Sequence, residues 1–126
     1  MKKILIVEDN PLNMKLVSEV LRRSGYTVFE ADNATDGIRI AEEAQPTVIL
    51  MDIQLPGIDG LTATTILKQD NSTRHIKVVA LTAFAMQGDE QRMREAGCDG
   101  YVSKPIRYKE FLETISSFYT GQADGK

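Results

Sequence analysis

Three stretches of this chain are unbroken runs of apolar side chains: ILIV at 4–7, VILM at 48–51 and VVAL at 78–81. A strand with one wet face alternates apolar and polar residues. A continuous run therefore belongs to a strand covered on both faces, as in a parallel sheet. Each run is far shorter than the ~20 residues a helix needs to cross a bilayer, so membrane insertion is not expected. Two weaker segments complete the set. TVFEA at 27–31 alternates and GYVS at 100–103 is short, and both suit the edges of a sheet.

Helical patterns lie between these segments. Pro11 suits the first turn of a helix. After it Leu12, Leu16 and Val20 recur at four-residue spacing, with Val17 and Leu21 beside them, and Gly25 is a stop. Asn33 is a candidate N-cap for a second helix whose face carries Ala34, Gly37, Ile38 and Ala41. Asp59 and Gly60 read as a turn and the start of a third, with Leu61, Thr65 and Leu67. In a fourth, residues 87–95, only Met93 is strongly apolar, so that helix has little grip on a core and shifts cheaply. The last carries Phe111, Leu112, Ile115, Phe118 and Tyr119 as a clear stripe.

Five β-α repeats argue for an α/β, flavodoxin-like (βα)5 doubly wound parallel sheet. The alternating second strand and short fifth strand, placed at the edges, give the order 2-1-3-4-5. In such sheets ligands sit beyond the carboxyl ends of the strands, between strands one and three. The 126 residues are expected to form one domain over 1–121, with 122–126 as a frayed tail.

The net charge of −3 comes without any basic tract, so the electrostatic footprint of a nucleic-acid binder is missing. Lys2 and Lys3 precede ILIV, but the apolar part ends at Glu8, which excludes a signal peptide. The single cysteine, Cys98, excludes an internal disulfide, fits a reducing cytoplasmic setting, and reads as a small packing residue. His75 sits in a polar turn and reads as a surface residue.

The chemistry gathers at the strand ends. Strand one runs into Glu8 and Asp9, strand three into Asp52, strand four into Thr82 and strand five into Lys104. Two unit charges about 4 Å apart cost on the order of 4 kcal/mol at an effective dielectric of about 20. The acids together carry −3 and the lysine +1, so a divalent cation would balance them. Oxygen donors without His or Cys favour a hard ion, most simply Mg2+. Pro105 after Lys104 argues for a fixed turn that aims the ammonium, and an X-Pro bond there admits the cis form. Taken singly, the acidic pair reads as a solvated loop, Thr82 equally as a cap, Lys104 as a surface lysine and Tyr101 as packing. Their joint placement at matching strand ends is what carries the reading.

This constellation resembles the receiver domain of two-component response regulators over nearly the whole chain. The acidic pair, the Asp ending strand three, the Thr ending strand four and the Lys-Pro after strand five are jointly specific. The resemblance implies that Asp52 is the phosphoacceptor, charged by a histidine kinase or phosphotransfer protein. It implies that Glu8, Asp9, Asp52 and the backbone carbonyl of Gln54 hold Mg2+, with Mn2+ as a substitute. Thr82 and Lys104 would contact the phosphoryl oxygens, and Tyr101 matches an aromatic switch position. Output would leave through helix four, strand five and helix five to a downstream protein. Such a protein is an acceptor that assists its own phosphorylation and dephosphorylation rather than an enzyme. Gln54 and Phe84 occupy positions that resemble sites tuning phosphoryl lifetime. The stretches EDNPLNMKL, MDIQLPGIDGL and TAFAMQGDEQRMREAGCDGYVSKPI look like single-domain cell-division regulators of the DivK type, and also like receivers of hybrid kinases that act as phosphorelay shuttles.

Three rival classes fit less well. A metal-dependent phosphatase forming an aspartyl phosphate needs a second carboxyl group two residues after its nucleophile, and Gln54 cannot serve. An FMN carrier should offer Gly, Ser or Thr amides in its first loop, where this chain has two acids. A binding module that works without phosphorylation has no need for the full set of chemical groups present here.

Overall fold

The computed structural model describes residues 2–55, 57–83 and 87–124. Ten elements alternate: β1 (Lys3–Val7), α1 (Pro11–Arg23), β2 (Thr27–Ala31), α2 (Ala34–Ala44), β3 (Val48–Asp52), α3 (Gly60–Gln69), β4 (Lys77–Thr82), α4 (Gln87–Ala96), β5 (Gly100–Ser103) and α5 (Tyr108–Asp124). The strands form one parallel sheet in the order β2-β1-β3-β4-β5, as the run pattern predicts. The helix assignment of α5 continues through Asp124, into the stretch expected to fray, and residues 125–126 lie outside the described residues.

The continuous apolar runs have a direct cause. Strand side chains alternate between faces, and both faces here are covered. Ile4, Ile6, Val48, Leu50, Val79 and Leu81 pack with Met14, Val17, Leu21, Phe111 and Ile115 of α1 and α5. Their sequence neighbours Leu5, Val7, Ile49, Met51 and Val78 pack on the other side with Ala41, Ala63 and Leu67 of α2 and α3. Burying an aliphatic side chain on either face contributes about 1.5–3 kcal/mol.

Local chemistry sets the helix ends. Asn10 Oδ1 accepts from the Leu12 and Asn13 amides, and Pro11 takes the first helical position. Asn33 accepts from the Asp36 amide and Asp59 from the Thr62 amide, so both are N-caps. Gly25, at φ 94°, follows α1 in the left-handed region that favours glycine. The Lys104–Pro105 peptide is cis.

The α1 stripe needs correcting. Met14, Val17, Ser18 and Leu21 face inward, whereas Leu12 and Leu16 are 64% and 45% exposed. Four-residue spacing traced the row beside the buried one. In α3, Leu61 and Thr65 are only half-buried, and the inward face is Gly60, Ala63, Thr64 and Leu67. Small residues carry that contact because α3 lies close to the sheet. Met93 is buried at 2% exposure, the one strongly apolar anchor anticipated for α4. Cys98 packs beside the second core, and His75 is exposed.

Far from the strand ends, Lys68 ties three elements together. Its Nζ donates to the Ile76 carbonyl at 2.8 Å and to Asp99 Oδ2 at 2.9 Å, and that same carboxylate accepts the Val78 amide at 2.8 Å. Lys68→Met keeps the aliphatic stem but leaves a half-buried carboxylate and a carbonyl without their cation. The expected cost is about 2 kcal/mol, read as a lower urea midpoint at unchanged slope.

Candidate functional site

Register brings the strand ends together. Val7 pairs with Met51, so Glu8 follows beside Asp52; Asp52 pairs with Leu81, and Thr82 with Ser103, so Lys104 comes next. Four residues distant in sequence thus share one edge of the sheet.

Glu8 and Asp52 are each 2% exposed and Thr82 is fully buried, while Asp9 faces solvent. Asp52 Oδ1 accepts the Gln54 amide at 2.9 Å, and its Oδ2 lies 3.3 Å from Lys104 Nζ. Glu8 Oε2 accepts the Asn10 amide at 3.1 Å. Glu8 Oε1 is 3.6 Å from Lys104 Nζ, within ion-pair range, yet is buried without a hydrogen-bond partner. The Lys104 amide donates to the Thr82 carbonyl at 2.8 Å, which fixes where its side chain starts. Glu8, Asp9 and Asp52 each offer a carboxylate oxygen within 4.8 Å of the others, the one such cluster among the described residues. An all-carboxylate set with a buried, unpartnered oxygen suits a hard divalent cation.

Burial, with Asp52 close by, pushes the Glu8 carboxyl up to about 7 from its ordinary 4.5, against the pull of the Asn10 amide and Lys104. The folded state therefore holds a proton on Glu8 that the unfolded chain has already lost between those values. Stability is undiminished by this group below about pH 4.5 and falls as pH rises towards 7 and above. In chelated buffer the expected fall is on the order of 3 kcal/mol. Urea melts across that range should show it, and Glu8→Gln should flatten the profile.

Tyr101 is 38% exposed, and the Glu90 carboxylate of α4 beside its hydroxyl raises the phenol's pKa. Pro105 follows Lys104 at the mouth of a small cavity that Glu8, Val17 and Tyr108 also line. Phe84 lies outside the described residues.

The sequence reading missed Gly60 as a site residue. A Cβ there would lie 2.2 Å from the Asp52 carbonyl oxygen and 2.6 Å from Ile53 Cα. The Gly60 amide also donates to the Ile53 carbonyl at 3.3 Å. The first turn of α3 thus rests against the backbone that carries Asp52. The only signal was the Asp-Gly pair, which looks like any turn. The sequence reading also missed Asn10, which caps α1 through its side chain and orients Glu8 through its backbone amide.

The family model for the response regulator receiver domain matches residues 4–116. The polar-differentiation response regulator DivK of Brucella anthropi is 51% identical over 122 residues, covering 97% of this chain and 98% of that protein. The receiver domain of a sensor histidine kinase from Pseudomonas aeruginosa, solved with a magnesium ion coordinated in its active-site cleft, is 35% identical. It superposes with a TM-score of 0.86 over 93% of this chain and 96% of that one. A CheY-like receiver domain protein from Methanospirillum hungatei has a TM-score of 0.90 at 26% identity, covering 100% and 99%. No helix among the described residues is long and apolar enough to cross a membrane.

Proposed function

The chain belongs to the response regulator receiver domain family, and on that premise we propose that Asp52 accepts a phosphoryl group from a histidine kinase or phosphotransfer protein. The observation that carries this reading is the buried Asp52 carboxylate, set at a strand end between a second carboxyl group and a lysine. Glu8, Asp9, Asp52 and the backbone carbonyl of Gln54 would hold Mg2+ or Mn2+, which neutralises the charge on the phosphoryl oxygens when bound.

An Asp52 oxygen attacks phosphorus, the bond from phosphorus to the donor's imidazole nitrogen breaks, and its electron pair stays on that nitrogen. The transition state is loose, so positioning and charge supply most of the catalysis. The Gln54 amide orients one Asp52 oxygen, and Lys104, already 3.3 Å from the other, pairs with the oxygens of the arriving group. Thr82, fully buried at the end of β4, supplies a hydroxyl to the phosphoryl group. The protein is an acceptor that assists its own phosphorylation and dephosphorylation, not a turnover enzyme. It acts in the cytoplasm on a downstream protein, in cell-cycle or cell-division control, as the likeness to polar-differentiation regulators supports. The likeness to a sensor kinase's own receiver supports a second reading, a phosphate shuttle in a phosphorelay.

The test is incubation with acetyl phosphate and Mg2+, read by intact mass: one phosphate is expected, and none after chelation. Output is proposed to leave through α4, β5 and α5. Thr82 moves towards the phosphoryl group and Tyr101 turns inward behind it, while α4, weakly anchored through Met93, shifts. Thr82→Ala is expected to keep phosphate on Asp52 while losing most of the phosphate-dependent gain in partner affinity. An undiminished gain would remove Thr82 from the coupling.

A further inference from the structure

The C-terminal end of α4 is tied to the rest of the molecule by a closed set of bonds. Gly97, at φ 105°, turns the chain, and its amide and that of Cys98 donate to the Arg94 and Met93 carbonyls at 3.0 Å each. Met93, just inside that turn, is buried. Asp99 follows and bonds to β4 twice: its amide donates to the Val78 carbonyl at 2.7 Å, and its Oδ2 accepts the Val78 amide at 2.8 Å. Lys68 of α3 closes the set. Its Nζ reaches the same Oδ2 at 2.9 Å, and its stem lies against Gly97, where a Cβ would stand 2.8 Å from the lysine Cγ. The Lys68 and Asp99 side chains are 20% and 26% exposed, so water screens the pair only in part. Nearer the other end of the helix, Glu90 and Gln91 pair along α4 itself, with Arg94 at 3.9 Å and Glu95 at 3.2 Å. Glu90 also stands beside the Tyr101 hydroxyl, which belongs to the part read as moving.

We propose that the Lys68–Asp99 clamp makes the α4–β5 turn a fixed pivot, about which phosphorylation swings the N-terminal half of α4. The inference rests on the reading that output leaves through α4, β5 and α5. Sliding the whole helix would break the bonds of Asp99 to two elements at once, whereas rotation about the turn keeps them. From Gln87 to Ala96 the helix spans about 14 Å, so a swing of about 10° moves its first residue by about 2 Å and a residue one turn from the pivot by less than about 1 Å. The output face therefore has two parts. Contacts a partner makes with Arg94 and Glu95 persist in both states, and contacts with Glu90, Gln91 and Tyr101 tell the states apart.

The probe is Mg2+ with beryllofluoride, which stands in for a phosphoryl group on a carboxylate, added to the 15N-labelled full chain. Changes in amide shift at Glu90, Gln91 and Tyr101 are expected to exceed those at Val78, Cys98 and Asp99 by about threefold or more. In Lys68→Met the changes at Val78, Cys98 and Asp99 are expected to rise by about threefold, while those beside Asp52 are kept. Asp99→Asn still accepts the Val78 amide but loses the ion pair, so it should behave alike and serves if Lys68→Met does not fold. Equal changes at both ends of α4 in the parent, or an unaltered gradient in either folded variant, would overturn the pivot and leave Asp52 as the phosphoacceptor. No change anywhere on addition would overturn the phosphoacceptor reading, and the pivot with it.

Discussion

Asp52→Asn is expected to gain no phosphate under conditions in which the parent chain is fully labelled, and to resist denaturation better than the parent in chelated buffer. Loss of labelling follows from chemistry, because an amide lacks the anionic oxygen that attacks phosphorus. Neither Glu8 nor Asp9 can substitute. Glu8 Oε2 is held by the Asn10 amide, and Asp9 sits at the solvent edge rather than next to Lys104. The gain in stability follows from electrostatics. Asp52 is one of the groups that raise Glu8, and among the described residues the two share a single lysine, Lys104. Removing one charge of a crowded buried set relieves repulsion without orphaning the Gln54 amide, since an asparagine oxygen still accepts it. Stabilisation of about 1–2 kcal/mol is expected, measured by urea melts at pH 8. Saturating Mg2+ should narrow the difference, because bound ligand at ~100 times its dissociation constant adds roughly 2.7 kcal/mol to the parent. Full labelling of the variant, or a stability below the parent's, would contradict the site as described.

Gly60→Ala is expected to impair both stability and chemistry. The added methyl meets backbone atoms of Asp52 and Ile53, not a side chain that can rotate away. Either α3 retreats or the end of β3 moves. Overpacking of this kind costs typically 1–3 kcal/mol, and the backbone character of the contact places the expected loss near the upper end. A misplacement of about 1 Å at the reacting group lowers rate by roughly a hundredfold. The labelling rate with acetyl phosphate should therefore fall by about that factor in protein that is still folded by circular dichroism. Gly57 makes a useful control: nothing lies within 4 Å of a Cβ there, although its φ of 74° still penalises alanine. Gly57→Ala should cost about 1 kcal/mol and leave the labelling rate within a fewfold of the parent.

The sheet was legible because its signal is redundant. Each of the three covered strands carries a continuous apolar run, and each ends in a residue whose polarity makes no sense inside a core. Once the strand order is set, register alone brings Glu8, Asp52, Thr82 and Lys104 together. Helix faces were less legible. In α1, leucines at 12 and 16 outweigh Met14 and Ser18 on any hydrophobicity count, yet the close fit to the sheet selects the latter row. In α3 the buried face is Gly60, Ala63, Thr64 and Leu67, so the turn that rests on the backbone of Asp52 carries little apolar signal. Gly60 illustrates the limit. Its role depends on which backbone it touches, and that partner lies eight positions earlier, across a loop.

The division of the core has its own consequence for how substitutions combine. Leu50 and Met51 are adjacent in the chain, yet the sheet's own backbone lies between their side chains and they belong to different packed clusters. Effects of mutations on opposite faces should therefore add, whereas those sharing a face should show coupling energies. Volume lost at Leu50 can be restored from Val17, Leu21 or Phe111, all of them distant in sequence, and not from its neighbour Met51. Covariation along these strands should skip every second residue, so that the chain behaves as two interleaved sequences, each answering to its own set of helices.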